Sequence, residues 1–221
     1  REYSLGLGGK GANQSVAAAR AGATVAHIGL IGPEGLWAKE RLSALGVDTQ
    51  HITRSETPTG HAIITVDEVG ENAITIFPGA NRAFTDAQLE VLTSETAPGD
   101  LLILQNETNL QAEAARIAVK QGIPVLYSAA PFDAEATRAV LPHISILLLN
   151  EIEAAQLKAA VGALPSGITV VATKGSEGAD WITPDQTLHC PALPVKPVDT
   201  TCAGDPFAGY LAAAIAEGQP T

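Results

Sequence analysis

Residues 199–207 read Asp199-Thr200-Thr201-Cys202-Ala203-Gly204-Asp205-Pro206-Phe207, and the rest of the chain can be organised around them. The small residues Cys202, Ala203 and Gly204 lead into an alanine-rich run, Phe207 to Glu217, with the composition of a helix. The first turn of a helix leaves backbone N–H groups without intrahelical acceptors, and with the helix dipole these donors make an anion site. Asp205 stands beside them, where a carboxylate would repel a bound phosphate. Two readings follow. Either Asp205 takes a proton from an attacking hydroxyl during phosphoryl transfer, or it caps the helix while its small neighbours let the turn pack closely.

The other end of the chain carries a second glycine-rich stretch, Gly8-Gly9-Lys10-Gly11-Ala12-Asn13-Gln14. A glycine-lined turn at a helix start lets a sugar hydroxyl approach backbone and take hydrogen bonds from the Lys10 and Asn13 side chains. The bland alternative is a solvated lysine and an asparagine in a first helical turn. Taken in this order, the two stretches resemble the paired signatures of the ribokinase-like (PfkB-type) family of carbohydrate kinases, and the resemblance extends over nearly the whole chain. The lysine-containing form of the first motif is more similar to ribokinases than to fructokinases or adenosine kinases, so ribose is the substrate it implies.

Between the two motifs the residues predict an α/β fold. A helix over Gly11 to Ala21 ends at Gly22, a glycine in the C-terminal position such residues favour. A strand is expected over Val25 to Leu30 and a helix over Gly35 to Leu45, with Val47 to Thr53 leading outward. Thr59 to Asp67 and Ala73 to Phe77 read as a β-hairpin turning through Gly70. The helix–strand alternation then resumes: a helix over Asp86 to Glu95, a strand over Leu101 to Gln105, and a helix over Leu110 to Gln121. A strand over Ile123 to Tyr127, a short helix over Ala134 to Val140, a strand over Ile144 to Leu149 and a helix over Glu151 to Ala160 come next. The series closes with a strand over Ile168 to Ala172 and a hairpin of Ala179 to Ile182 with Thr187 to Cys190. Continuous apolar strands separated by helices predict a mostly parallel sheet covered on both faces, with ligands at the carboxyl ends of its strands. The resemblance implies a three-layer sandwich, with residues 8–54 and 78–221 as the kinase domain and residues 1–7 and 55–77 as a small β lid. Arg1 to Leu7 reads as the end of a strand. Segments that the family fold carries at its N and C termini are expected to lie outside this chain, and the brief join at Gly162 to Gly167 hints at a shortened loop.

Composition narrows the function. The 221 residues carry a formal net charge of −11 and 4% aromatics, without a Lys/Arg cluster. Nucleic acid and anionic membrane are therefore poor partners. No apolar run reaches the roughly 18 residues of a membrane span, and no secretory signal opens the chain, so a cytoplasmic protein is expected. Its two cysteines, Cys190 and Cys202, make no disulfide framework.

Several further residues are placed where ligands would bind. Glu107 follows the strand ending at Gln105, and reads either as a sugar-hydroxyl acceptor or as an ordinary loop acid; the resemblance implies the former. Asn150 and Glu153 flank a helix start, where they can build a capping box; their Asn-x-x-Glu pattern resembles the family's magnesium and phosphate element, with Glu153 holding Mg²⁺ through water. Thr173, Lys174, Gly175, Ser176 and Gly178 resemble the family's nucleotide loop, and by themselves are a turn signal. Asp199 and Thr201 resemble part of a monovalent-cation site for K⁺, and otherwise bond local backbone.

The resemblance thus implies an ATP-dependent sugar kinase in which Asp205 is the base. The N–H groups of Cys202, Ala203 and Gly204 form the anion hole, while Gly9, Lys10, Asn13 and Glu107 hold the sugar. ATP is the co-substrate, Mg²⁺ and K⁺ are the ions, and a homodimer forms through the lid. Two residues depart from the family pattern. Cys202 stands where glycine is common, costing roughly 1–2 kcal/mol if that position needs a positive φ, and its thiol at a helix start is expected to be reactive and shielded by ATP. Pro206 disfavours the helical region for Asp205 before it. A nucleoside kinase of the same fold and a non-catalytic sugar-binding regulator both remain as alternatives.

Overall fold

The computed structural model describes residues 4–66, 72–195 and 203–219. In chain order the elements are α1 (Lys10–Arg20), β1 (Gly29–Ile31), α2 (Leu36–Ala44), β2 (Ile52–Arg54), β3 (His61–Val66), β4 (Asn72–Phe77), α3 (Asp86–Leu89), α4 (Val91–Ser94) and β5 (Leu102–Gln105). They continue with α5 (Gln111–Lys120), β6 (Val125–Ser128), α6 (Ala134–Val140), β7 (Ile146–Asn150), α7 (Glu151–Val161), β8 (Thr169–Thr173), β9 (Ala179–Ile182), β10 (Thr187–Cys190) and α8 (Gly204–Ala216).

Among the described residues the largest sheet has six strands in the order β10-β9-β8-β7-β6-β5. β5 to β8 are mutually parallel, and β9 and β10 close the sheet as the expected antiparallel hairpin. Because side chains alternate across a strand, each apolar run feeds two cores. Val125, Tyr127, Leu147, Leu149, Val170 and Ala172 face a layer of α5, α6 and α7. Leu126, Ile146, Leu148 and Val171 face Ala208 and Ala212 of α8. This two-sided burial is why the strands are continuously apolar, and it makes the fold a three-layer α/β sandwich.

Helix α1 packs along α8. Asn13 and Gln14 lie against Asp205, Ala17 and Ala18 against Gly209, and Gly22 near Glu217, so the two helices run parallel. A Cβ added at Gly209 would stand 2.5 Å from the Ala17 Cβ, 2.5 Å from the Gln14 carbonyl oxygen and 2.8 Å from the Ala18 nitrogen. Glycine is the residue that permits this approach. On its other side α1 packs Ala12, Val16 and Ala19 against Ile31, Leu42, Val47 and Ile52 of the β1–β2 region.

Four local expectations are corrected. Residues 25–28 form no full strand: Ala26 makes one bridge to Asp48, and regular pairing begins at Gly29. The segment expected to lead outward instead returns beside it, β2 pairing parallel with β1 from Gly29↔Ile52 to Ile31↔Arg54. The helix expected over residues 86–95 is broken at Glu90 into α3 and α4. The Glu90 carbonyl opens α4, accepting the backbone N–H groups of Thr93 and Ser94 as well as their hydroxyls, and beyond α4 the Thr96 hydroxyl donates to the Leu92 carbonyl. Ser4 to Leu7 form no strand, because their backbone meets no partner strand among the described residues.

β3 and β4 form a separate antiparallel sheet, from His61↔Phe77 to Val66↔Asn72. Its base is tightly crossed: a Cβ at Gly60 would meet the Pro78 carbonyl at 2.5 Å, and one at Gly79 the Pro58 carbonyl at 2.3 Å. The backbone N–H of Glu34 itself, and then the N–H and hydroxyl of Thr59, hold the Glu34 carboxyl below the usual carboxylate range. Among the described residues no helix is long and apolar enough to cross a membrane.

Candidate active site

Helix α8 begins at Gly204, three residues before the expected start, with Ala203 as its flanking residue. Pro206 therefore lies inside the first turn, where its missing N–H leaves no acceptor unsatisfied. Asp205 is helical even though Pro206, which follows it, disfavours that region for it. The donors facing out of this turn come from Ala203, Gly204 and Asp205. Cys202, Asp199 and Thr201 lie outside the described residues.

Asp205 does not cap its helix. Its side chain is buried, 4% exposed, and turns to α1: Asn13 Nδ2 donates to Oδ2 at 2.9 Å and Gln14 Nε2 to Oδ1 at 3.4 Å. The Lys10 ammonium stands 4.0 Å from Oδ1. A buried carboxylate is costly unless paired and hydrogen-bonded, and α1 supplies both kinds of partner. The parallel arrangement brings the positive ends of both helices to the same place, a field that favours anions.

Glu107 occupies the other helix start. Its Oε2 accepts the Lys10 N–H at 2.8 Å, serving as a cap from the loop after β5 where Gly9, the residue flanking α1, has no side chain to offer. Gly9 has φ 93°, a conformation that favours glycine, and a Cβ there would lie 3.9 Å from Glu107 Oε2. The loop carrying Glu107 is pinned from below. Arg82 donates to the carbonyls of Thr108 at 2.9 Å and Asn106 at 3.4 Å. Asn106 in turn donates to the Pro131 carbonyl at 3.0 Å and accepts the buried Tyr127 hydroxyl. Burial raises the Tyr127 pKa, so the phenol is neutral and acts as that donor.

The carboxyl ends of β7 and β8 lie side by side, with Asn150 opposite Thr173. Asn150 and Glu153 form the expected capping box: Asn150 Oδ1 accepts the Glu153 N–H at 2.9 Å, and Glu153 Oε2 accepts the Asn150 N–H at 2.8 Å. Burial pushes the Glu153 pKa up, and the Asn150 N–H and the nearby Lys10 charge pull it back. Lys10 is thus electrostatically shared between Asp205 and Glu153. After Thr173 the loop forms one tight turn over Gly175–Glu177. The Lys174 ammonium stands 2.5 Å from Asp180 Oδ2, a pairing that raises its pKa. Gly178 has φ 112°, and a Cβ there would strike the Cys190 carbonyl at 2.0 Å.

Gly9, Lys10, Asn13, Glu107, Ala203, Gly204 and Asp205 are therefore neighbours, with Glu153 within the electrostatic reach of Lys10, while Asn150 and the residues from Thr173 to Gly178 share the adjoining strand ends. The sequence reading missed Gln14, Gln105, Arg82 and Asn106. One signal was available: Gln14 lies four residues after Lys10 on the same helix face, and Gln105 is a polar residue ending a buried apolar strand.

The whole chain, residues 1–221, matches the profile described as pfkB family carbohydrate kinase. A ribokinase of Haemophilus influenzae is 36% identical over 235 residues, covering 98% of this chain and 76% of that protein. A ribokinase of Schizosaccharomyces pombe is 36% identical over 244 residues, covering 99% and 76%. The structure of an Arabidopsis thaliana ribokinase complexed with ribose and ATP superposes with a TM-score of 0.81 at 27% identity, covering 96% of this chain and 76% of that one. A match along its entire length, joined to a shared fold, makes this chain a member of the pfkB family of carbohydrate kinases.

Proposed function

We propose that the protein is an ATP-dependent ribokinase that moves the γ-phosphoryl group of ATP to the 5-hydroxyl of D-ribose. The observation that carries this reading is the Asp205 carboxylate, buried at the joined starts of α1 and α8 and held by amides of α1 beside the Lys10 ammonium. Ribokinase relatives supply the substrate class.

In this reading Asp205 accepts the hydroxyl proton as the sugar oxygen bonds to the γ-phosphorus and the bond to the β-phosphate oxygen breaks, releasing ADP. The N–H groups at the start of α8, with Cys202 beside them, take the charge on the transferring group. Lys10, Asn13, Gly9 and Glu107 position the ring; the Glu107 oxygen not used on the Lys10 N–H is the one offered to a hydroxyl. Asn150 and the Thr173–Gly178 loop, including Gly175 and Ser176, border the nucleotide.

Mg²⁺, when bound with ATP, would neutralise charge on the phosphates. Glu153 fits such an ion: its Oε2 is occupied by the Asn150 N–H, its other oxygen remains for a hydrated cation, and a nearby positive charge would offset the burial that raises its pKa. Asp199 and Thr201 are our candidates for K⁺. We take β3 and β4 as a lid that covers the sugar, and as the surface of a homodimer, because Ile64, Ile74 and Ile76 are 55%, 54% and 66% exposed on one face of it. A cytoplasmic location goes with use of ATP.

The test is ATP turnover across ribose, deoxyribose, fructose and adenosine, with Asp205→Asn alongside. Ribose-dependent kcat that falls about 10²- to 10⁴-fold in the variant is the expected result. Turnover unchanged by the substitution would remove Asp205 from the chemistry.

A further inference from the structure

We propose that Gln105 and Gln14 form a directional amide relay that orients the Asp205 carboxylate, making both positioning residues for phosphoryl transfer. The proposal rests on the reading of Asp205 as the base. Gln14 is 1% exposed, on the α1 face that meets α8. Gln105 Nε2 donates to Gln14 Oε1 at 2.7 Å, and Gln14 Nε2 donates to Asp205 Oδ1 at 3.4 Å. One chain of contacts thus crosses from the end of β5 through α1 to α8. Gln105 is itself anchored nearby, its carbonyl accepting the Gln111 side-chain amide at 3.0 Å.

An amide can present either its oxygen or its nitrogen to a neighbour, and the hydrogen-bond network decides which. Here the Gln105 donor holds the Gln14 oxygen on its own side, leaving the Gln14 N–H groups to face the carboxylate. Turned round, Gln14 would set a carbonyl oxygen against Asp205. Asn13 holds Oδ2 and Gln14 holds Oδ1, so the carboxylate plane is set from two sides before a sugar arrives. Such preorganisation acts on the rate rather than on binding.

The test uses the isosteric change Gln105→Glu beside Gln105→Leu. A glutamate accepts where the glutamine donated, so Gln14 reverses; a leucine leaves Gln14 unbiased. The expected kcat loss is about tenfold or more for Gln105→Glu and about threefold for Gln105→Leu. For Gln14→Leu, which removes a hydrogen bond to a charged group, it is about 10- to 100-fold. KM for ribose and ATP stays within about twofold of the parent in each. A glutamate also adds charge, so both Gln105 changes are repeated in the Gln14→Leu background. If the relay operates, the difference between Glu and Leu at position 105 collapses there; if it persists, the effect is a direct field and the relay is overturned. It is equally overturned if Gln105→Leu loses as much as Gln105→Glu, or if the losses appear in KM. Should Gln14→Leu fail to fold, the two Gln105 changes are repeated in a Gln14→Met background, which likewise lacks the amide, and the same comparison decides. Wild-type kcat in Asp205→Asn refutes the base and the relay together, whereas loss in Asp205→Asn with wild-type kcat in the glutamine variants refutes the relay only.

Discussion

Replacing Gly209 by alanine drives a methyl group into the α1–α8 contact, 2.5 Å from the Ala17 Cβ and 2.5 Å from the Gln14 carbonyl oxygen. Neither atom is the end of a side chain that can swing away. Carbon atoms rest at about 3.5–4.0 Å, so the helices must part locally by about 1 Å. Overpacking of this kind costs about 1–3 kcal/mol, and alanine in place of glycine returns about 0.5–1 kcal/mol through helix propensity. The balance is a loss of about 1–2 kcal/mol, or a few degrees in Tm at about 2–4 °C per kcal/mol for a chain of this size. The kinetic effect is larger. Gly209 sits one turn beyond Asp205, and Gln14 one turn before Ala17, so parting the helices draws Asn13 and Gln14 off the carboxylate; misplacement by about 1 Å can lower kcat about 10²-fold. Thermal unfolding and a coupled assay of ribose-dependent ADP release measure the two quantities. Ala17→Gly in the same chain removes one of the struck atoms and restores part of both losses. A Gly209→Ala protein that is as active as the parent and more stable, by the helix-propensity gain, would refute the reasoning.

Glu153→Gln keeps the capping box, since glutamine at this position also accepts the Asn150 N–H, but removes the charge; Tm is expected to stay within about 1 °C, while the Mg²⁺ concentration for half-maximal rate rises. Unchanged Mg²⁺ dependence in a titration would exclude Glu153 from the ion. Burial lowers the His27 pKa to about 4, from 6.5. The unfolded chain therefore binds the proton first as pH falls, and stability present above pH 6.5 is lost toward pH 4, by up to about 3 kcal/mol. Urea unfolding at several pH values reads this slope, and His27→Asn should flatten it. On the lid, Ile64→Lys with Ile76→Lys is expected to turn a dimer into a monomer in sedimentation without loss of fold, and an unchanged sedimentation coefficient would place any dimer elsewhere.

The two glycine-rich stretches, the alternation of apolar strands with helices, and the family were all legible in the residues, because each is a local matter of periodicity, turn chemistry or motif. The β9–β10 hairpin and the capping box of Asn150 and Glu153 were legible for the same reason. Less was readable at Glu90, where the helix expected over residues 86–95 divides in two, since propensity alone favours one helix there. Pro206 does not keep Asp205 out of the helix, because a proline's steric preference is weaker than a first helical turn anchored by tertiary packing.

By itself the sequence determined an α/β kinase of this family and named Asp205, Lys10, Asn13 and Glu107 as candidates. It left open whether Asp205 caps its own helix or acts on a hydroxyl, and whether Glu107 meets a sugar hydroxyl or is an ordinary loop acid; the tertiary structure supplied their protein partners, Asp205 bonding across to α1 and Glu107 accepting the Lys10 N–H from 97 residues away in sequence. Only packing could decide this, because a carboxylate's partners are set by which elements meet. Gly209 makes the same point. Nothing around it in the chain marks a glycine as necessary, and its reason appears only when Ala17 and Gln14, nearly two hundred residues earlier, are seen to lie against it.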